Sequence, residues 1–181
     1  IPGIGTDALA GIGVTGAIII LISAFSAIVS GGGAPLAAIA LGQGDRKRAG
    51  QTLGNGFVLL LIFTLLTTTL TYLFMEPLLM FTGASENTVG YAKDYLSIYL
   101  LGTLFVETSV GLNTFINTQG RPAIAMYSVL IGAVLNIILD PIFIFVMGMG
   151  VRGAALATVI SQACSALWIV SFLTSKRASL R

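Results

Sequence analysis

The sequence has no histidine and a single cysteine, and only 9% of its 181 residues are charged. Without imidazole, serine or cysteine triads lose their usual base, and zinc and haem lose their usual ligands. A lone cysteine excludes an internal disulfide, and Cys164 lies in an apolar run where packing accounts for it. There is no HExxH, GxSxG or P-loop signature. Gly42-x-Gly44 lacks the strand that a nucleotide fingerprint needs. These absences point away from an enzyme and from a bound cofactor. The formal net charge of +2 is too small to suggest a nucleic-acid partner.

What the chain has is apolar length. Hydrophobic residues make up 56% of it, and its charged fraction compares with about 25% in soluble domains. Five segments can each supply the roughly 20 apolar residues that a membrane span requires. They lie at about 11–40, 52–75, 95–118, 123–147 and 153–175. Three carry no charge; the third holds only Glu107 and the fourth only Asp140. The expected fold is therefore all-α, a polytopic helical membrane protein. The sequence begins at Ile1 without methionine and with no basic stretch before its first apolar run, so it reads as part of a longer polytopic chain with no signal peptide.

Turn-forming residues divide the spans. Gly42-Gln43-Gly44-Asp45 ends the first, with Asp45 suited to cap the next helix. Glu76-Pro77 and Gly83–Asn87 read as the second connection. Gln119-Gly120-Arg121-Pro122 is a tight turn with Pro122 at a helix start. The short 147–153 join makes the fourth and fifth spans antiparallel neighbours. Gly31-Gly32-Gly33-Ala34-Pro35 is a place for a bend in the first. Arg46, Lys47, Arg48, Arg121, Lys176, Arg177 and Arg181 fall on one side, which the positive-inside rule makes cytoplasmic; the other side has only Lys93 and Arg152.

Against this background the polar groups inside the spans carry the functional signal. A carboxylate near a helix centre in the membrane costs roughly 3 kcal/mol, so an intramembrane acid is a candidate for moving an ion or a proton. Asn136 is four residues before Asp140 and shares its helix face. At 1.5 Å per residue, Asp140 is about 12 Å below the outer end and Thr158 about 9 Å down the neighbouring helix; Asn136 and Gln162 are one turn deeper. This count pairs Asp140 with Thr158 and Asn136 with Gln162. Pro141 frees the carbonyl of Ile137, one more oxygen. Oxygen ligands around one carboxylate suit sodium, and the same pocket can hold a proton; the alternative is that Asp140 caps a kink or bonds across the helix pair. In the third span Tyr99, Thr103, Glu107 and Gly111 follow at i+4 intervals, a polar stripe that must face protein or a water-filled cavity. Glu107, with Thr103 and Gln162, is read as lining a substrate cavity or coupling to it; interhelical hydrogen bonding is the other reading of Glu107. Phenylalanine and tyrosine are otherwise read as lipid-facing or packing residues, and Trp168 as either.

Two blocks carry a family resemblance. They are Leu135-Asn136-Ile137-Ile138-Leu139-Asp140-Pro141-Ile142-Phe143 and Gly150-Val151-Arg152-Gly153-Ala154-Ala155-Leu156-Ala157-Thr158-Val159-Ile160-Ser161-Gln162. With Gly33-Ala34-Pro35-Leu36 and Leu41–Asp45, they resemble the multidrug and toxic compound extrusion (MATE) family. The Asn117-Thr118-Gln119-Gly120 turn is most similar to its bacterial, staphylococcal-type multidrug subgroup. The resemblance covers essentially the whole chain. It implies the second to sixth helices of a twelve-helix transporter, so that residues 1–181 form a partial N-terminal six-helix lobe. It further implies a multi-pass protein of the bacterial cytoplasmic membrane that exports small organic or cationic drugs in exchange for sodium or protons. The cation site it implies is Asn136, Asp140 and Thr158, with the family's acidic residue on its first helix lying upstream of Ile1. The expected partners are drugs, sodium or protons, membrane lipid and the remainder of the transporter. A lipid-linked sugar flippase of the same superfamily, and a non-transporting membrane scaffold or enzyme, are the alternatives.

Overall fold

The computed structural model describes residues 5–180, all of whose regular structure is helical. Ile1 and Arg181, used above for the chain start and the orientation, lie outside them. Helix α1 spans Thr6–Gly42, α2 Arg46–Leu73, α3 Met75–Phe81, α4 Val89–Asn117, α5 Pro122–Pro141 and α6 Gly150–Leu173. A π-helical turn, Ile142–Val146, continues α5. Five of these rods, counting α5 with its π turn, are long and apolar enough to cross a membrane.

Local signals explain most boundaries. The Asp45 carboxylate accepts from the Arg48 amide at 2.9 Å, the N-cap expected from the sequence. Pro122 occupies the first turn of α5, where its missing N–H leaves no partner wanting. Helix α1 runs continuously through Pro35. Its 37 residues extend about 55 Å at the helical rise, well past a hydrocarbon layer of about 30 Å.

One connection differs from expectation. The segment from Glu76, read as a turn, forms the short helix α3. Pro77 is tolerated because it falls in the first helical turn, where N–H groups have no intrahelical acceptor. Leu79 is fully buried and packs with Ile18, Ile22, Leu96 and Leu100. Lys93 Nζ reaches Glu76 Oε2 at 2.5 Å and ties α3 to α4.

Helix α4 is the hub, touching every other helix. It is also the least apolar of the five spans and the most buried. That inversion follows from the solvent: lipid tails accommodate leucine as well as a protein interior does, so the polar helix turns inward. Outward faces carry Ile20, Leu65, Leu101 and Ile137, all exposed. The α5–α6 pair is set by close backbone approach. A Cβ on Gly153 would lie 2.8 Å from the backbone carbonyl of Phe143, so only glycine fits there. Gly148, at φ +66°, makes the sharp reversal between the two.

Candidate functional site

Pro141 shapes the site. Lacking an N–H, and with a ring that crowds the carbonyl four residues back, it cannot continue the α-helical ladder unchanged. The chain passes into the π turn, closed by Met147 N donating to Ile142 O at 2.9 Å. The wider turn makes α5 climb less per residue than a regular α-helix.

The consequence is visible in how the polar rungs pair. Asn136 Nδ2 is 3.4 Å from Asp140 Oδ1, on its own helix, and 3.5 Å from Thr158 Oγ1 on α6. Depth counting pairs Thr158 with Asp140; the structure sets Asn136 against Thr158 instead. The shallower climb through the π turn shifts α5 relative to α6 in that direction. Thr158 spends its own hydroxyl proton on Ala154 O at 3.0 Å, leaving its oxygen free as an acceptor or ligand. Both Asn136 contacts are long for N–H···O bonds, which centre near 2.9–3.0 Å. The three side chains converge without locking onto one another.

Tyr95 on α4 joins them. Its phenol lies in the neighbourhood of Thr158 and Asp140. The sequence reading, which assigned tyrosines to packing or lipid, missed it. The signal was present: Tyr95 is four residues before Tyr99 and extends the polar stripe by one turn. Among the described residues no three His, Cys, Asp or Glu side chains gather in a metal-binding group. The polar groups gathered here are one carboxylate, one amide and one hydroxyl.

A groove of about 430 Å³ adjoins the site, lined by Asn113, Asn136, Thr158, Ser161 and Gln162 among others. Asn113 donates to Ala125 O at 2.9 Å and to Ser128 Oγ at 2.7 Å, holding α4 to α5 along its floor. Ser165 donates to Ser128 O at 2.8 Å, so the 2.8 Å contact between Ser109 and Ser165 uses the Ser109 proton. Ser161 Oγ, also buried, has no partner. Trp168 donates to Ile124 O at 3.2 Å, a packing role at the other end of α6.

Gln162 lines this groove as expected, but Thr103 and Glu107 do not. Both are fully buried, and Thr103 bonds back to Tyr99 O at 3.2 Å. Glu107 turns toward α1, where Ser23 Oγ donates to Oε1 at 2.9 Å and Ser26 Oγ donates to Oε2. The Glu107 end of the α4 stripe faces protein, with Glu107 against α1 and Gly111 against Leu60 of α2 and Ser26 of α1. Thr103 and Glu107 are thus interior groups rather than walls of this groove.

The geometry can be set beside known proteins. The sequence profile of the MatE family matches residues 1–142. The chain belongs to the MatE family. It is 31% identical over 172 residues, 95% of its length, to the multidrug export protein MepA of Staphylococcus haemolyticus. It is also 31% identical over 177 residues to an FAD transporter of Shewanella oneidensis. A crystal structure of MATE in the bent conformation superposes with a TM-score of 0.90 at 30% identity, covering 96% of this chain and 39% of that one. The inward-facing structure of a multidrug resistance MATE family transporter of the MOP superfamily gives 0.92 at 29% identity, covering 99% and 41%. The chain spans about two fifths of the length of the relatives it matches.

Proposed function

We propose that the protein containing this chain is an antiporter of the bacterial cytoplasmic membrane that exports drugs and other organic compounds in exchange for sodium or protons. Residues 1–181 then form most of its N-terminal six-helix lobe, with the loops bearing Arg46–Arg48 and Lys176–Arg177 in the cytoplasm. Asp140, Asn136 and Thr158 bind the coupling cation, Tyr95 orders Thr158, and Gln162 faces cargo in the adjoining groove.

The observation that carries this reading is the convergence of Asn136 with Asp140 and Thr158, at 3.4 and 3.5 Å, within helices that cross a membrane. A carboxylate held among neutral oxygens can bind either a proton or a sodium ion, and in doing so changes its charge. That change links a conformational equilibrium to an ion gradient. The relatives named for multidrug export support the cargo class. The FAD transporter, at the same identity, supports keeping organic compounds beyond drugs within it.

The test is transport by the full-length protein in liposomes, with sodium and proton gradients imposed separately. Dye or drug should move against its gradient only when one of the two is present. Movement independent of both contradicts coupling.

A further inference from the structure

The second intramembrane acid lies outside the site just described. Glu107 is 1% exposed, enclosed where α4 packs on α1 and α2. Ser23 and Ser26 are one turn apart on α1, so both hydroxyls point at one place, and each takes one carboxyl oxygen. Among the described residues no lysine or arginine pairs with Glu107. The basic residues near its neighbours are Arg46, Lys47 and Arg48 at the start of α2 and Arg152 at the start of α6, all at helix ends. Helix α1 contributes no charge beyond Asp7 at its start. Among the described residues, Tyr99 is the nearest titratable side chain before Glu107 on its face of α4.

Two hydroxyl donors do not replace the hydration of a full negative charge, and a buried charge with no counter-charge is strongly disfavoured. A carboxylic acid is not. Its O–H can donate to Ser26 Oγ, whose own proton then turns to a backbone carbonyl of the preceding turn, while Ser23 continues to donate to the other oxygen. All groups are satisfied with a proton present and none is left charged.

The same face of α4 carries two phenols toward the start of the helix. Tyr95 and Tyr99 precede Glu107 on the same face of α4, at about three and two turns' distance. The two rings stack with centroids 6.1 Å apart and planes 17° from parallel. Two stacked phenols thus share the face of α4 that carries Glu107.

We propose that Glu107, with Ser23 and Ser26, is a second proton-binding site of this lobe, apart from the one at Asp140. It takes a proton in the conformation seen here and gives it up when α1 shifts on α4. This goes beyond the cation site at Asp140 and does not require it to be right.

Infrared difference spectroscopy on the purified full-length protein reads the proton directly. A pH titration of the wild type should show a carboxylic-acid carbonyl band that disappears in Glu107→Gln and persists in Asp140→Asn. Ser26→Ala, which leaves the acid in place, should shift the frequency of that band, a readout that survives if Glu107→Gln folds poorly. In liposomes, Glu107→Gln should lose proton-driven export or shift its pH profile, although glutamine preserves the size and both serine contacts. A carbonyl spectrum unchanged by both substitutions, or wild-type export with an unchanged pH profile in Glu107→Gln, overturns the proposal. Failure of coupling at Asp140 shows separately, as unaltered export in Asp140→Asn.

Discussion

Asn136 and Thr158 meet across the α5–α6 interface, with the amide nitrogen 3.5 Å from the hydroxyl oxygen. Twenty-two positions separate them in sequence, and the antiparallel packing of α5 on α6 brings them together. The same amide reaches Asp140 Oδ1 at 3.4 Å, so one neutral side chain bridges the carboxylate of α5 and the hydroxyl of α6.

That bridge predicts graded effects at the site. Asn136→Ala removes the amide that reaches Asp140 and Thr158, Thr158→Ala removes a hydroxyl oxygen, and both leave the carboxylate. A hydrogen-bonding group of this kind contributes about 1 kcal/mol, roughly a fivefold change in apparent cation affinity. Both variants of the full-length protein should retain export and require higher sodium or proton concentration for half-maximal rate. Complete loss in either, with normal membrane insertion, would mean that the neutral ligands matter as much as the acid.

The fit of α6 against the end of α5 predicts a stability effect with a built-in control. Gly153→Ala places a methyl 2.8 Å from the Phe143 carbonyl carbon and oxygen, both backbone atoms that cannot rotate away. Overpacking of this kind costs about 1–3 kcal/mol. Gly13→Ala meets nothing within 4 Å and replaces a mid-helix glycine, so it should be neutral or slightly stabilising. Thermal unfolding in detergent should separate the two; equal melting temperatures would contradict the packing described.

The charge asymmetry predicts an orientation. In a full-length protein with Cys164 replaced by serine, Lys47→Cys should resist a membrane-impermeant thiol reagent in intact cells and Ser85→Cys should react. The reverse pattern would invert the topology and with it the direction assigned to the ion.

How much of this was legible beforehand differs by feature. The five spans and their order follow from apolar run length, because in a bilayer that length is itself the constraint. Asp45 as a cap and Pro122 as a helix start were legible because their chemistry is local. Helix α3 was not. Its seven residues begin with Met75-Glu76-Pro77, a turn signature by composition, and Leu79 becomes helical through burial against α1 and α4. The gathering of Asn136, Asp140 and Thr158 was legible from spacing and a short loop, but depth counting set Asp140 rather than Asn136 against Thr158, because it ignores how the two helices slide past each other and the lower rise of the π turn. Tyr95 and the turn of Glu107 toward α1 depend on how α4 is rotated in the bundle. The periodicity of the stripe shows that its face is buried without saying which neighbour buries it.

The central claim is that the charge state of Asp140 ties export to an ion gradient. The electrical part of such a gradient supplies about 2.3 kcal/mol per elementary charge per 100 mV, available only to a group that gains and loses charge as the ion binds. Asparagine keeps the size and much of the hydrogen bonding of Asp140 and can neither release a proton nor offset a sodium ion. Gradient-driven drug export by full-length Asp140→Asn in liposomes is therefore the most direct measurement. The account predicts that export falls to background while expression, membrane insertion and thermal stability stay close to wild type. Export at the wild-type rate under an imposed sodium or proton gradient would make Asp140 a structural residue and contradict the account.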